Sequence, residues 1–447
     1  MKKYKKLLIT ISIFLFFLFL NLFINQIQND EIWNYGFAHN IYKGLIPYKD
    51  FNMVLTPLYS FIMSIPFHIF GSNILVFHIT NSIILTITTL LLYKMIDNKI
   101  YIIGIIIVFF SNSITFPSYN LFSFFLIILI YYLETKKSND YLIGILIGLL
   151  LLTKQSVGFF VLLPSIYYIK DKKKVLKRII GFIIPCLLFL VYLLITNSLN
   201  EFLDLCLFGL FDFGTKNKSR NIIGYIIFIL VFIFNIYLII KDKKNIGYYY
   251  SLAFLSMAIP LFDYAHTIVP ILLILIVYFM NHNIKDVINY KISFYIITVL
   301  IFIISFYRYN YNHKIIYPNN INRFEYRFIR DDSIKLTNEV IKYINDNKDE
   351  NIIFLNTSAY YFRLITNKEI SYIDLTNNGN FGYNGSKKMI KEIDKYNGSI
   401  FFINMDEYKN NVQTDKKSIE YVINNGEKIG KIQIFDIYRF NRWCYAN

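Results

Sequence analysis

The chain has 447 residues, 55% of them hydrophobic, 19% aromatic and only 17% charged, with a net charge of +16. Soluble domains carry about a quarter of their residues as charges, so a water-soluble globular enzyme, a disordered chain, a collagen-like chain and a disulfide-stapled secreted domain are excluded. The apolar residues fall in long blocks separated by short lysine-rich breaks, the layout of a polytopic α-helical membrane protein, and membrane orientation accounts for the lysines without nucleic acid as a partner.

Lys2, Lys3, Lys5 and Lys6 precede an apolar run from about Leu7 to Ile24 with no small-residue cleavage site after it, which reads as a retained signal anchor with its N-terminus in the cytoplasm. The first external loop then covers about 25–73. Within it, 53–70 is apolar enough to resemble a span but carries Pro57, Pro66 and His68, which suit a spanning helix poorly. The basic runs Lys170 to Arg178 and Lys241 to Lys244, with a weaker one from Lys285 to Lys291, mark cytoplasmic breaks. Counting outward from them gives spans near 74–93, 100–116, 118–133, 140–153, 156–169, 179–197, 221–240, 247–262, 266–281 and 291–307. Both ends of 53–70 then lie outside, so it is expected to be a juxtamembrane or re-entrant helix. The total is about eleven spans, and the breaks 111–119, 153–156 and 263–266 face outside.

From about Arg308 the pattern changes. Helical periodicity over Ile334–Asn345, Lys387–Tyr396 and Ser418–Asn425 alternates with strands at Asn351–Asn356, Ser399–Ile403 and Lys431–Asp436, so 308–447 is expected to form a small extracytoplasmic α/β domain on the membrane module 1–307. It holds no glycine-rich phosphate loop. Cys186, Cys206 and Cys444 have no metal or disulfide spacing.

The first loop carries the chemical signal. Asp30 and Glu31 follow the first span, Tyr35 and Ala38 recur at helical spacing, and Gly44 and Pro47 stop the helix; the acids thus occupy a first turn that favours negative charge, where Asp30 also reads as a plain N-cap. Asp50 lies in Pro-Tyr-Lys-Asp-Phe, where a turn-forming aspartate is the commoner reading and a contact to acceptor or metal the other. Lys154 and Gln155 fall between two apolar blocks, where a lysine is expensive and generally has a partner or a task, unless it snorkels to the surface. Asp263 and His266, three apart at another external break, share a face in a helical turn or belong to a polar loop. Ser118, Tyr119 and Asn120 head a span from the same side.

The pattern Asp-Glu-x-x-x-Tyr-x-x-Ala-x-x-Ile-x-x-Gly-x-x-Pro-Tyr-x-Asp-Phe, followed by Pro57-Leu58 and Phe70-Gly71-Ser72, resembles the GT-C glycosyltransferases, nearest to bacterial relatives of protein O-mannosyltransferases and lipid A aminoarabinose transferases. The likeness covers the N-terminal third well and the remaining topology loosely. It implies transfer of a sugar from a polyprenyl-phosphate carrier to a cell-envelope acceptor on the outer face of a bacterial cytoplasmic membrane, with inversion and with Asp30, or its neighbour Glu31, as general base. It also implies a proline-containing juxtamembrane helix in the first loop, an acid or amide facing the cavity at Asp50, and membrane lipid as a partner. Substrate contacts are expected from Tyr35, Asp50, Lys154, Gln155, Asp263 and His266. Phe77-His78 stands where many relatives have arginine. A divalent cation such as Mg or Mn, shared by carboxylates and a phosphate, is left open, while six histidines without HxxxH spacing argue against a dedicated zinc site. The competing classes are an envelope polysaccharide polymerase or ligase, for which the loop Asn197–Asn221 supplies Lys216, Lys218 and Arg220, and a non-enzymatic transporter or flippase, which predicts inverted repeats.

Overall fold

The computed structural model describes residues 2–24, 29–97, 116–167, 170–210, 222–259, 261–262, 264–281, 315–316, 321–327, 329–368, 372–373, 380–383, 385–410 and 415–441. Helix α1 (Lys2–Phe19) continues into a π-helical turn, Leu20–Ile24. Helix α2 (Asn29–Tyr42) opens with Asp30 and Glu31 in its first turn, and Gly44 behind it takes φ +84°, a left-handed turn that glycine adopts without strain.

Helix α3 (Leu58–Phe70) is the apolar segment expected not to cross. Its thirteen residues reach about 20 Å, short of the roughly 30 Å hydrocarbon layer. At its start Leu58 N donates to Leu152 O at 2.9 Å. It then runs back along α2, with Phe67 against Tyr35 and Tyr42, and His68 against Tyr42. Asn73 follows and caps α4 (Ile74–Met95), accepting from Leu75 N at 2.8 Å. These connections fit a helix lying across one end of the bundle.

The bundle continues with α5 (Tyr119–Thr135), α6 (Asp140–Leu151), α7 (Gln155–Tyr167), α8 (Lys172–Ile195), the short α9 (Leu199–Phe202), α10 (Ile222–Lys241), α11 (Ile246–Phe254) and α12 (Tyr264–Asn281). Among the described residues three helices, α4, α8 and α10, are long and apolar enough to cross a membrane, and the others are shorter. Leu188, Ile195, Leu230 and Ile233 stand more than half exposed on α8 and α10, an outer surface suited to apolar surroundings rather than water. Of the expected spans, 291–307 and all of 100–116 but its last residue lie outside the described residues, so the number eleven is not established.

One end of the bundle is fixed by Arg178. Its Nη2 meets Glu134 at 2.7 Å, its Nε meets Asp140 at 2.8 Å, and its Nη1 donates to Ser165 Oγ at 3.0 Å. This draws together the α5–α6 break and the start of α8, both expected on one side. Helices α6 and α8 touch closely here: a Cβ on Gly144 would stand 2.2 Å from the Arg178 carbonyl oxygen.

The C-terminal part holds a four-stranded sheet in the order β3 (Ile352–Leu355), β4 (Ile400–Asn404), β6 (Phe435–Phe440), β5 (Gly426–Ile432), and a separate two-stranded pair, β1 (Ile315–Ile316) with β2 (Ile329–Arg330). β3 and β4 run parallel, and β6 is antiparallel to both β4 and β5. Helices α13 (Asp331–Asp346) and α14 (Ala359–Thr366) cover one face, with Tyr343 and Phe362 against Phe402, Phe354 and Phe435. On the other face Met389 and Ile393 of α15 (Gly385–Ile393), and Ile419 and Val422 of α17 (Lys416–Asn425), join Phe401 and Ile403; the short α16 (Met405–Asn410) follows β4. Both faces of the central strands are therefore buried, as their unbroken apolar runs require. The first of these cores is continuous with the bundle core. The expected strand Lys431–Asp436 is instead the tip of a hairpin: Ile432 pairs with Phe435, and Gln433 takes φ +47° in the two-residue turn. Its Lys-Ile-Gln-Ile-Phe-Asp alternation reads as one strand because Gln-Ile is not a usual turn pair.

Candidate functional site

Helix α2 lies where the bundle meets the C-terminal part. Gly36 makes this contact possible, since a Cβ there would stand 2.3 Å from Tyr360 Cδ1, and the Tyr360 ring packs edge-on against Phe37 at 5.6 Å. Trp33 Nε1 donates to Thr357 O at 3.1 Å and Asn29 Nδ2 to Thr357 Oγ1 at 3.3 Å. Thr357 in turn donates its N–H and hydroxyl to the two oxygens of Glu407 at 3.0 and 2.8 Å. Burial raises the Glu407 carboxyl above its usual range, against the lowering effect of these hydrogen bonds.

The two adjacent acids have different surroundings. Glu31 is fully buried: Oε2 accepts from Arg327 Nη2 at 2.8 Å, and Oε1 accepts from Arg327 Nε at 3.1 Å and His78 Nε2 at 2.8 Å. Burial alone would raise its pKa, but Arg327 and His78 outweigh that and hold it below the ordinary value. A carboxylate with both oxygens engaged and no exposed surface is a poor proton acceptor for an external molecule. Asp30 is half-buried, one position earlier. His78 therefore shares Glu31 with a guanidinium that comes from 296 residues away.

Tyr35 is fully buried. Its hydroxyl donates to Ser72 O at 2.8 Å, its ring packs against Phe67, Phe77 and Phe324, and burial raises its phenol pKa. Asp50 closes a turn by accepting from Ile46 N at 2.7 Å.

A second cluster gathers three of the sequence breaks expected on one side. Lys154, only 7% exposed, donates from Nζ to Asn120 Oδ1 at 2.9 Å and Met257 O at 3.1 Å, 5.5 Å from the centre of the Tyr119 ring. Asn120 Nδ2 donates to His266 Nε2 at 3.3 Å. Lys154 is thus enclosed by α5, α12 and the turn after α11 instead of reaching the surface. Gln155 Nε2 donates to Val54 O at 3.1 Å and Cys206 O at 3.4 Å, and its Oε1 is buried without a hydrogen-bond partner. Asp263, and the basic loop residues Lys216, Lys218 and Arg220, lie outside the described residues. Beside the cluster an apolar groove of about 790 Å³ runs between Phe160, Leu163, Phe228, Phe232 and Leu252 to Ser256, one residue short of the carbonyl that binds Lys154.

Sequence reasoning missed Arg327 and Glu407, which carry no local motif, and Asn120 gave only the weak signal of a polar residue at a helix start. Among the described residues no three His, Cys, Asp or Glu side chains gather as a metal site.

Bundle, capping helix and small mixed sheet together make a fold that has counterparts among solved structures. Among solved structures, ArnT from Cupriavidus metallidurans in the apo state matches with a TM-score of 0.56 and 8% identity, over 98% of each chain. The same protein bound to undecaprenyl phosphate matches with a TM-score of 0.53 and 8% identity, over 97% of this chain and 98% of the other. ArnT is a lipid A aminoarabinose transferase of the GT-C family, so the resemblance carried by the first-loop motif is borne out in the fold of the whole chain. Identity this low speaks for the fold alone. No family model and no curated protein sequence matches the chain.

Proposed function

We propose that the chain is a GT-C-type membrane glycosyltransferase that moves a sugar from a polyprenyl-phosphate carrier to a cell-envelope acceptor on the outer face of a bacterial membrane. The observation that carries this reading is the ArnT-like fold over nearly the full chain, with the paired acids opening the helix that caps the bundle. Asp30 is the general base: it takes the proton of the acceptor hydroxyl as that oxygen attacks the anomeric carbon. The bond from that carbon to the phosphate oxygen breaks on the opposite side, so the sugar inverts and polyprenyl phosphate leaves with the electron pair. Lys154 offsets the charge on the departing phosphate, as preorganised cations do where charge develops, and the apolar groove beside it takes the prenyl chain. Glu31 is a positioning residue, fixing α2 through Arg327 and His78. The N-terminus and the Arg178 end of the bundle face the cytoplasm, and the sheet domain lies outside.

Membranes containing the protein, supplied with labelled polyprenyl-phosphate sugars, test this. Transfer should fall by about 10²–10⁴-fold in Asp30→Asn with the protein still folded. Transfer that survives in Asp30→Asn removes the assignment of the base, and carrier crossing the membrane without transfer favours a flippase.

A further inference from the structure

At the opposite end of α2 from Asp30, a cavity of about 550 Å³ opens between α2, the turn 321–327 and α14. His39, Lys43, Arg323, Arg363, Asn367 and Lys368 line it. Four of these side chains are cationic and none is acidic.

Arg323 is held entirely by neutral acceptors. Its Nη1 donates to Ser72 Oγ at 2.7 Å, Ser72 O at 3.3 Å and His39 Nδ1 at 3.2 Å, and its Nη2 donates to Asn367 Oδ1 at 2.7 Å. Its Nε is buried without a hydrogen-bond partner. The acid in the same turn, Glu325, is occupied by the Arg323 backbone N–H at 3.0 Å and by Asn73 Nδ2 at 3.1 Å. Lys43 lies 5.6 Å from the centre of the Tyr42 ring, and Lys368 Nζ donates to Lys348 O at 2.9 Å. Among the described residues no carboxylate forms an ion pair with Lys43, Arg323 or Lys368. Burial, followed by Arg323 and Lys43, pushes the His39 pKa down to about 3, so its imidazole is neutral and its Nδ1 accepts a proton in a hydrogen bond.

Lys43, Arg323 and Lys368, to which no carboxylate is paired among the described residues, repel one another and raise the local concentration of anions. Guanidinium forks and ammonium groups in this number suit phosphate oxygens, and the volume leaves room for the body to which the phosphate is attached. Helix α3, whose His68 packs on Tyr42 next to the lining residue Lys43, leaves Ile65, Ile69 and Phe70 at 60%, 70% and 71% exposure, a face suited to a membrane surface. A phosphate carried at a membrane surface is at the right depth.

We propose that this cavity binds a phosphate group of the envelope acceptor, at a site separate from the one at Lys154. Its assignment to the acceptor rests on the transferase reading above, whereas phosphate binding itself does not.

The test is calorimetry on the full chain in phosphatidylcholine nanodiscs, titrated with inorganic phosphate and with glycerol 3-phosphate. Arg323 bridges α2 to the C-terminal part, so Arg323→Gln risks the fold; Lys43→Gln with Lys368→Gln removes two charges and puts at stake only the Tyr42 ring contact and the hydrogen bond to Lys348 O. Wild type should bind both probes, more weakly as salt rises. The double lysine variant should bind about tenfold more weakly. No binding by wild type, or binding undiminished in the double variant, overturns the proposal. Replacing part of the lipid with phosphatidylglycerol separates the sources: unchanged binding supports an acceptor phosphate, and displacement means that bulk lipid headgroups fill the cavity, which overturns the acceptor assignment. Wild type that transfers sugar but binds no phosphate here leaves the transferase reading intact, and phosphate binding without transfer leaves the cavity and removes that reading.

Discussion

Arg327→Met is the perturbation with the clearest expected size. Arg327 and Glu31 are both fully buried, and two hydrogen bonds, of 2.8 and 3.1 Å, join them. Removing one partner of such a pair strands a charge out of water and costs about 3–5 kcal/mol, a few hundredfold to a few thousandfold in the equilibrium that docks the C-terminal part on α2. Adding Glu31→Gln should recover about half of the loss. The glutamine oxygen still accepts from His78, and what stays unpaired is a neutral amide, at about 1–3 kcal/mol. The double variant is therefore expected to be more stable than Arg327→Met alone. Trp33 provides the assay, because its indole donates to Thr357 across that interface. The chain has two tryptophans, so a Trp443→Phe background leaves Trp33 as the sole emitter. Its emission should report undocking on the order of 10 °C lower for Arg327→Met, with the double variant in between. A double variant no better than the single one would refute the argument that a stranded charge dominates.

Acid should undock the same interface. The docked Glu31 carboxyl lies below its ordinary 4.5, so its contribution is fully present above about pH 4.5 and is lost as the pH falls towards the docked value. Trp33 emission should follow this loss in wild type, and the Glu31→Gln/Arg327→Met variant should lack that part of the acid sensitivity. Lys154→Met should lower transfer by about 10²–10³-fold, while thermal unfolding in detergent shows a folded protein; undiminished kcat/KM would free Lys154 from the leaving phosphate. Gly36→Ala should destabilise the docked state by about 1–3 kcal/mol, since its Cβ would stand 2.3 Å from the Tyr360 ring, and Tyr360→Leu should restore part of that loss in the same fluorescence assay.

The features legible in the sequence are those that a local pattern writes. Asp30 and Glu31 advertise a helix start, Gly44 its stop, and the prolines with the surrounding charge asymmetry set 53–70 apart from the spans. Lys154 stood out because a lysine between apolar blocks is costly wherever it sits. That Asn120 and Met257 would be its partners was not legible, because they converge on it, and His266 on Asn120, only once three separate helices pack. Arg327 is the extreme case, an ordinary residue in an ordinary polar stretch until folding brings it to Glu31. Nor does the sequence distinguish the two acids, which are neighbours along the chain but face different surroundings around the helix. Helix α14, only eight residues and almost wholly buried, was missed because its apolar residues run nearly without interruption and show no clean period.

The fourteen residues of α2 form a rigid rod about 21 Å long, with Asp30, the carboxylate proposed as the base, at one end and the cationic cavity at the other. If both proposals hold, a molecule gripped at both ends must bridge that span, and the helix would act as a ruler, measuring its substrate by length as well as by charge. Fragments too short to bridge it would occupy one end without presenting a hydroxyl at the other. They would compete with the acceptor and accept nothing themselves.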